Sequence, residues 1–220
     1  MGQDIIKLKF ENLHVINQQK VRVDLFLDWI DGAERPKPDV VWSFLLRKDV
    51  FPFIEQQAGL PWLRIKKSNN LILMDSFSEL TDQKFISKKE GWAFCCNYND
   101  IDHSPLFEDE FDCQGLLNLS EIEHCYKVFF DYINKEYPSK KILFLHFPTK
   151  LDQRQLFKDR GVAIKNALEK LSLANKSIIN VHVPDEKVSP YEEDDFPYHF
   201  GRETYLHFVK EINQALDANN

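Results

Sequence analysis

"KKILFLHFP", residues 140–148, is an almost unbroken apolar run closed by a proline. It lacks the polar alternation of a half-exposed strand and is too short for a core helix. It therefore reads as a strand covered on both faces, the kind that parallel sheets contain. Upstream, "LSEIEHCYKVFFDYINKEY" (119–137) sets Ile122, Tyr126, Phe129 and Ile133 on one stripe, with Ser120 as N-cap and Pro138 beyond its end. Downstream, residues 151–175 form a second amphipathic helix with Gly161 as its weak point, and "SIINVHVP" (177–184) forms another strand. "NLILM" (70–74) precedes the set and "RETYLHFVKEINQAL" (202–216) closes it with a helix. The alternation predicts an α/β protein in which the strands at 70–74, 140–148 and 177–184 are adjacent and parallel.

The amino-terminal third is less patterned. Loose alternation over 4–10 predicts a first strand, and Val21, Val23, Leu25 and Leu27 at period two predict another over 21–30. A Gly, Pro and charge-rich loop (31–39) leads to a helix over 40–57 that Pro52 must bend, and "GLPW" (59–62) breaks the chain. Residues 81–115, dense in aromatic and acidic groups, read as an irregular insertion, either a lid or a contact surface. Trp92, Phe94, Tyr98, Phe107 and Phe111 are what such a surface would offer a protein partner.

With 220 residues, one domain is expected, and roughly 70% of the unfolded surface can be buried without a disulfide or metal staple. A net charge of −7 and scattered lysine pairs argue against nucleic acid as a partner. No apolar run is long enough to span a membrane. Cys95, Cys96, Cys113 and Cys125 form no C-x-x-C pair, and His103, His124 and Cys125 lack the spacing of a zinc site. The chain opens "MGQDIIKLKF", without a charged-then-apolar leader, so reduced thiols and a cytoplasmic location are expected.

Ligands of open parallel sheets collect at the carboxyl ends of the strands. Those ends carry Asp75 and Ser76 in "LILMDSFSEL" (71–80), then His146, Thr149 and Lys150, then His182 and Asp185. The loop "YEEDDFPYHF" (191–200) adds Asp194, Asp195 and His199. An acid shortly before a histidine can hold one ring nitrogen and leave the other to take a proton from a hydroxyl. The same pattern also fits a helix-capping acid beside a half-buried histidine.

"DDFPYHFGRETYLHFVKEI" resembles the closing block of SGNH/GDSL-type hydrolases, in which a short Asp-to-His segment precedes a carboxyl-terminal helix. "LILMDSFSELTDQKF" and "ILFLHFPTKLDQRQLFKDRG" extend the resemblance over about 70–216, toward a branch found among bacterial surface-polysaccharide genes. The resemblance implies a three-layer α/β/α sandwich with a mainly parallel, flavodoxin-like sheet. It also implies hydrolysis or transfer of an acyl ester on a hydroxyl-rich substrate such as a saccharide, with no metal or organic cofactor. His199 would be the base and Asp195 its orienter, with Asp194 competing for that role; the family's D-x-x-H is D-x-x-x-H here. Asp75, His146 and Asp194 would face the substrate. For the nucleophile, Ser76 in "MDS" is one reading. In the other, this strand is the family's middle strand, supplying oxyanion-hole groups, and the nucleophile is missing, since no Ser or Cys precedes Ser43. The chain is then either an esterase-like enzyme, an inactive binding or assembly module, or part of a protein that begins upstream of Met1.

Overall fold

The computed structural model describes residues 19–59 and 71–217. The strand expected over 4–10 and most of the break at 59–62 lie outside them. The elements in chain order are α1 (Val23–Ile30), α2 (Pro38–Trp42), α3 (Phe51–Gly59), β1 (Leu71–Asp75), α4 (Phe77–Thr81), β2 (Asp82–Ser87) and β3 (Ala93–Asn97). They continue with α5 (Pro105–Glu110), β4 (Phe111–Cys113), α6 (Leu119–Glu136), β5 (Lys141–Leu145), α7 (Gln155–Ala174), β6 (Ile178–Val181) and α8 (Arg202–Asp217). The chain is thus mixed α/β, and its contacts gather into two compact units, one holding described residues 71–76 and 131–217, the other 19–59 and 77–130. No described helix is long and apolar enough to cross a membrane.

The first unit is built on a parallel sheet of order β1-β5-β6. Ile72 and Leu73 face Ile142 and Leu143 across one ladder, and those two residues face Ile178 and Ile179 across the other. Ile142, Leu143, Phe144 and Leu145 are wholly buried, as the unalternating run requires. The three strands expected to be parallel neighbours are so. In α7, which runs unbroken through Gly161, a Cβ at that glycine would lie 2.8 Å from the Thr149 methyl, so the glycine marks a close approach.

The second unit departs from expectation. The segment 81–115 is an ordered antiparallel sheet, β3-β2-β4, with α5 packed in. Trp92, Phe94, Phe107 and Phe111 are 1%, 0%, 2% and 3% exposed and form its core with Phe85, Val41, Val50 and Ile54. Four of the five aromatics assigned to a contact surface are therefore interior, and only Tyr98 is open. Aromatic content signalled a core here. At the sheet edge among the described residues, the Gln57 side chain from α3 donates to the Cys95 carbonyl at 2.8 Å and accepts the Cys95 N–H at 2.9 Å. A side-chain amide thereby pairs backbone groups that a strand would otherwise pair.

Within 21–30, Val23–Ile30 is helical rather than extended, with Arg22 as its extended N-cap. The helix buries Val23, Leu25, Phe26 and Trp29, and the period-two run of Val and Leu overlaps that face. The decisive partner comes from elsewhere in the sequence, because Glu79 Oε1 accepts the Val23 N–H at 2.8 Å, one of the orphan donors of the helix start. The expected helix over 40–57 likewise divides into α2, a 3-10 turn at Lys48–Val50, and α3, with Pro52 in the first turn of the last. For α6, Asn118 rather than Ser120 provides the cap, accepting the Ser120 N–H at 3.1 Å.

Buried charge surrounds α1. The Arg22 guanidinium forks onto Asp24 at 2.9 and 2.6 Å and donates to the Gly115 and Asp82 carbonyls. Lys20 lies 3.4 Å from both Asp82 and Asp100. Glu79 is 3% exposed, and burial pushes its carboxyl up to about 7 despite the Val23 bond. The folded chain therefore keeps a proton that the unfolded chain releases near 4.5. Stability from this group is complete below that value and is lost as pH rises through about 7. Urea unfolding should find Glu79→Gln more stable than the parent at pH 8, by on the order of a few kcal/mol, with the gap closing toward pH 4.

Candidate functional site

Because β1, β5 and β6 are parallel, their carboxyl ends share one edge of the first unit. Ser76 follows β1 directly, is 3% exposed, and its Oγ accepts the Phe147 N–H at 3.1 Å. Asp75 is the last residue of β1, in register with Leu145. His146 is buried, 8% exposed. Its Nε2 lies 2.9 Å from Asn180 Oδ1, and its ring stacks on His182 at 4.1 Å. Burial, and then the neighbouring His182, push its pKa down to about 3, so at neutral pH it is an uncharged core imidazole. At this strand end, the ring expected to meet substrate has Asn180 and His182 as its neighbours.

The closing loop is folded back on itself. Tyr191 N–H donates to the His199 carbonyl at 3.1 Å, Gly201 N–H to the Ser189 carbonyl at 2.9 Å, and Pro190 bridges Phe200. Within it, Asp194 Oδ1 accepts the Phe196 N–H at 2.9 Å, a turn that aims the carboxylate, and Asp194 Oδ2 lies 2.7 Å from His199 Nδ1. The acid paired with His199 is therefore Asp194; Asp195 makes no bond to the ring and is exposed. The His199 and Phe196 bonds hold the Asp194 carboxyl below its ordinary range. The rings of Phe196 and Tyr191 stand roughly crosswise to that of His199, with centroids 4.8 and 6.4 Å away.

A turn closed by the His199 N–H on the Phe196 carbonyl at 2.9 Å leads out of the loop, and burial alternates along the three residues that end it. Tyr198 and Phe200 point inward, 3% and 1% exposed, and each packs on Phe147 with centroids 5.5 Å apart. His199, between them, points outward with its side chain 56% exposed. Phe147 also donates to Ser76, so the serine belongs to the inward cluster and the histidine to the opposite face. No hydrogen bond joins Ser76 to His199.

Asp152, which sequence reading passed over, helps anchor this loop. Burial alone would raise its carboxyl, but bonds from the Arg154 side chain and N–H outweigh that and hold it down at about 2. The Tyr198 hydroxyl lies against the same carboxylate. The D-x-R just past a strand end was the available signal. Lys150 donates to the Asp185 and Val188 carbonyls at 2.6 and 3.4 Å, tying the β6 exit down. Between Leu151 and residues 190–197 lies a cavity of about 290 Å³. Among the described residues, no group of three His, Cys, Asp or Glu side chains is arranged to hold a metal.

Comparison with models of known families, with curated proteins and with solved structures found no match. The geometry of this loop and sheet edge therefore carries the functional argument alone.

The loop gives two expected outcomes. In a carbon-detected NMR titration, His199→Ala should return the Asp194 carboxyl toward the ordinary carboxylate range, whereas Asp195→Asn should leave it low. A Cβ at Gly201 would lie 2.6 Å from Ser189 Oγ and 2.9 Å from the Pro190 carbonyl. Gly201→Ala should lower stability by about 1–3 kcal/mol in chemical unfolding, as overpacking against backbone does.

Proposed function

We propose that the chain is an SGNH-like binding or assembly module, keeping a flavodoxin-like α/β/α framework without carrying out acyl transfer. The observation that carries this reading is the alternation through Tyr198, His199 and Phe200. An activated serine must sit about 2.6–3.2 Å from its base. Here the base faces outward, while the serine is held among the partners of the flanking inward rings. Joining them would mean turning the loop over and giving up both aromatic contacts on Phe147. Ser76 then serves as a linchpin between the ends of β1 and β5.

A second reading, hydrolysis or transfer of an acyl group on a saccharide, is favoured by the 2.7 Å contact between Asp194 and His199. That contact leaves Nε2 as the nitrogen to receive a proton, and in a ligand-free protein a serine can stand further from its base than in the reacting complex.

A fluorophosphonate probe with peptide mass spectrometry separates the two. On the binding reading Ser76 is not labelled, and turnover of 4-nitrophenyl acetate and of an acetylated saccharide panel is the same for the parent, Ser76→Ala and His199→Ala. Labelling at Ser76, with ester turnover lost in both variants, would establish the hydrolase instead.

A further inference from the structure

The cavity beside the closing loop has a composition that selects for charge. Its walls include the rings of Tyr191 and Phe196, which remain 39% and 44% exposed, together with Pro190 and Pro197. Its carboxylates are Glu192, Asp194 and Asp195, and none of its lining residues is cationic. The three acids are not equivalent. Both oxygens of Asp194 are engaged, one by Phe196 N–H and one by His199. Asp195 and Glu192 form no hydrogen bond or ion pair with any described residue.

Two neighbouring acids have thus taken different work. Asp194 shapes the loop and Asp195 is left to face whatever enters. Aromatic faces beside uncompensated carboxylates attract a positive charge carried on an apolar body, through the ring quadrupole and through direct attraction. An anion would meet only repulsion there. The loop is also ordered before any ligand arrives, by the backbone bonds between Tyr191 and His199 and between Ser189 and Gly201, and by two prolines. Little conformational freedom is left to lose on binding.

We propose that this cavity is a binding site for a small organic ammonium group, with Asp195 and Glu192 as its counter-charges and Phe196 and Tyr191 as its aromatic walls. The inference specifies a ligand class for the binding reading above and rests on it. The cavity volume, about 290 Å³, sets a compact ligand rather than an extended chain.

The test uses a pair of probes equal in shape and different in charge, choline and 3,3-dimethylbutan-1-ol, titrated into the full chain at low salt. Amide shifts of residues 191–196 are monitored by ¹H–¹⁵N NMR. Choline should move them, with a dissociation constant at least tenfold below that of the alcohol. Asp195→Asn and Phe196→Ala should each weaken choline severalfold, and added salt should weaken it as well. Circular dichroism and the retained Asp194 titration would show that the loop is intact in the variants. Equal affinity for both probes would mean that the cavity reads shape alone, and absence of shifts at 191–196 would mean that it is no site; either overturns the proposal. The readout is association, so Ser76-dependent ester turnover would unseat the binding reading without altering these titrations, and their failure would leave the esterase assays unchanged.

Discussion

The first unit depends on β5 being paired on both sides. A strand with parallel partners on either side satisfies its backbone groups only inside the sheet, and its side chains must be apolar above and below. Ile142 to Leu145 meet that condition completely. Once the strand is fixed, the residues at its exit are fixed too. His146 comes out against Asn180 of the next strand and His182 just past it, and Phe147 comes out beneath the closing loop. Phe147 then acts twice, by its N–H toward Ser76 and by its ring toward Tyr198 and Phe200. The outward position of His199 goes with that anchoring: both its neighbours are held inward while its own side chain stays 56% exposed.

The second unit solves a different problem. Its interior holds charged groups as well as aromatic ones, and burying a charge is costly unless it is paired or neutralised. Arg22 meets the cost with a fork onto Asp24 and two carbonyls, and Lys20 by standing between Asp82 and Asp100. Glu79 takes the other route and holds its proton. These groups join chain segments far apart in sequence, so the ordering of α1 is a property of the whole unit rather than of its own residues.

That distinction marks what was legible in the sequence. The parallel strands announce themselves because burial on two faces leaves a compositional trace, and α6, α7 and α8 because amphipathic helices leave a periodic one. α1 leaves neither, as its start is secured by Glu79 from another part of the chain and its apolar residues satisfy two periods at once. Residues 81–115 misled for a related reason: short strands joined by polar turns look irregular locally, although their aromatics converge. In the closing loop, the nearness of an acid to His199 was legible. Which acid was not, because the choice is made by the Phe196 N–H, which draws Asp194 into a turn and leaves its neighbour outside. The alternation that turns His199 away from Ser76 depends on Phe147 and could not be read from spacing.

The Gln57 amide that clasps Cys95 bears on how this chain keeps its own company. An open edge of a sheet is a template on which a strand from another molecule can add, and proteins guard such edges against aggregation. Here the guard is one side chain whose donor and acceptor copy a peptide group and occupy the Cys95 position from the α3 side. The fit depends on reach, since asparagine is one methylene shorter and a carboxylate has no donor to give. Among the described residues, a single side chain on a short helix thus occupies one backbone position that an added strand would need.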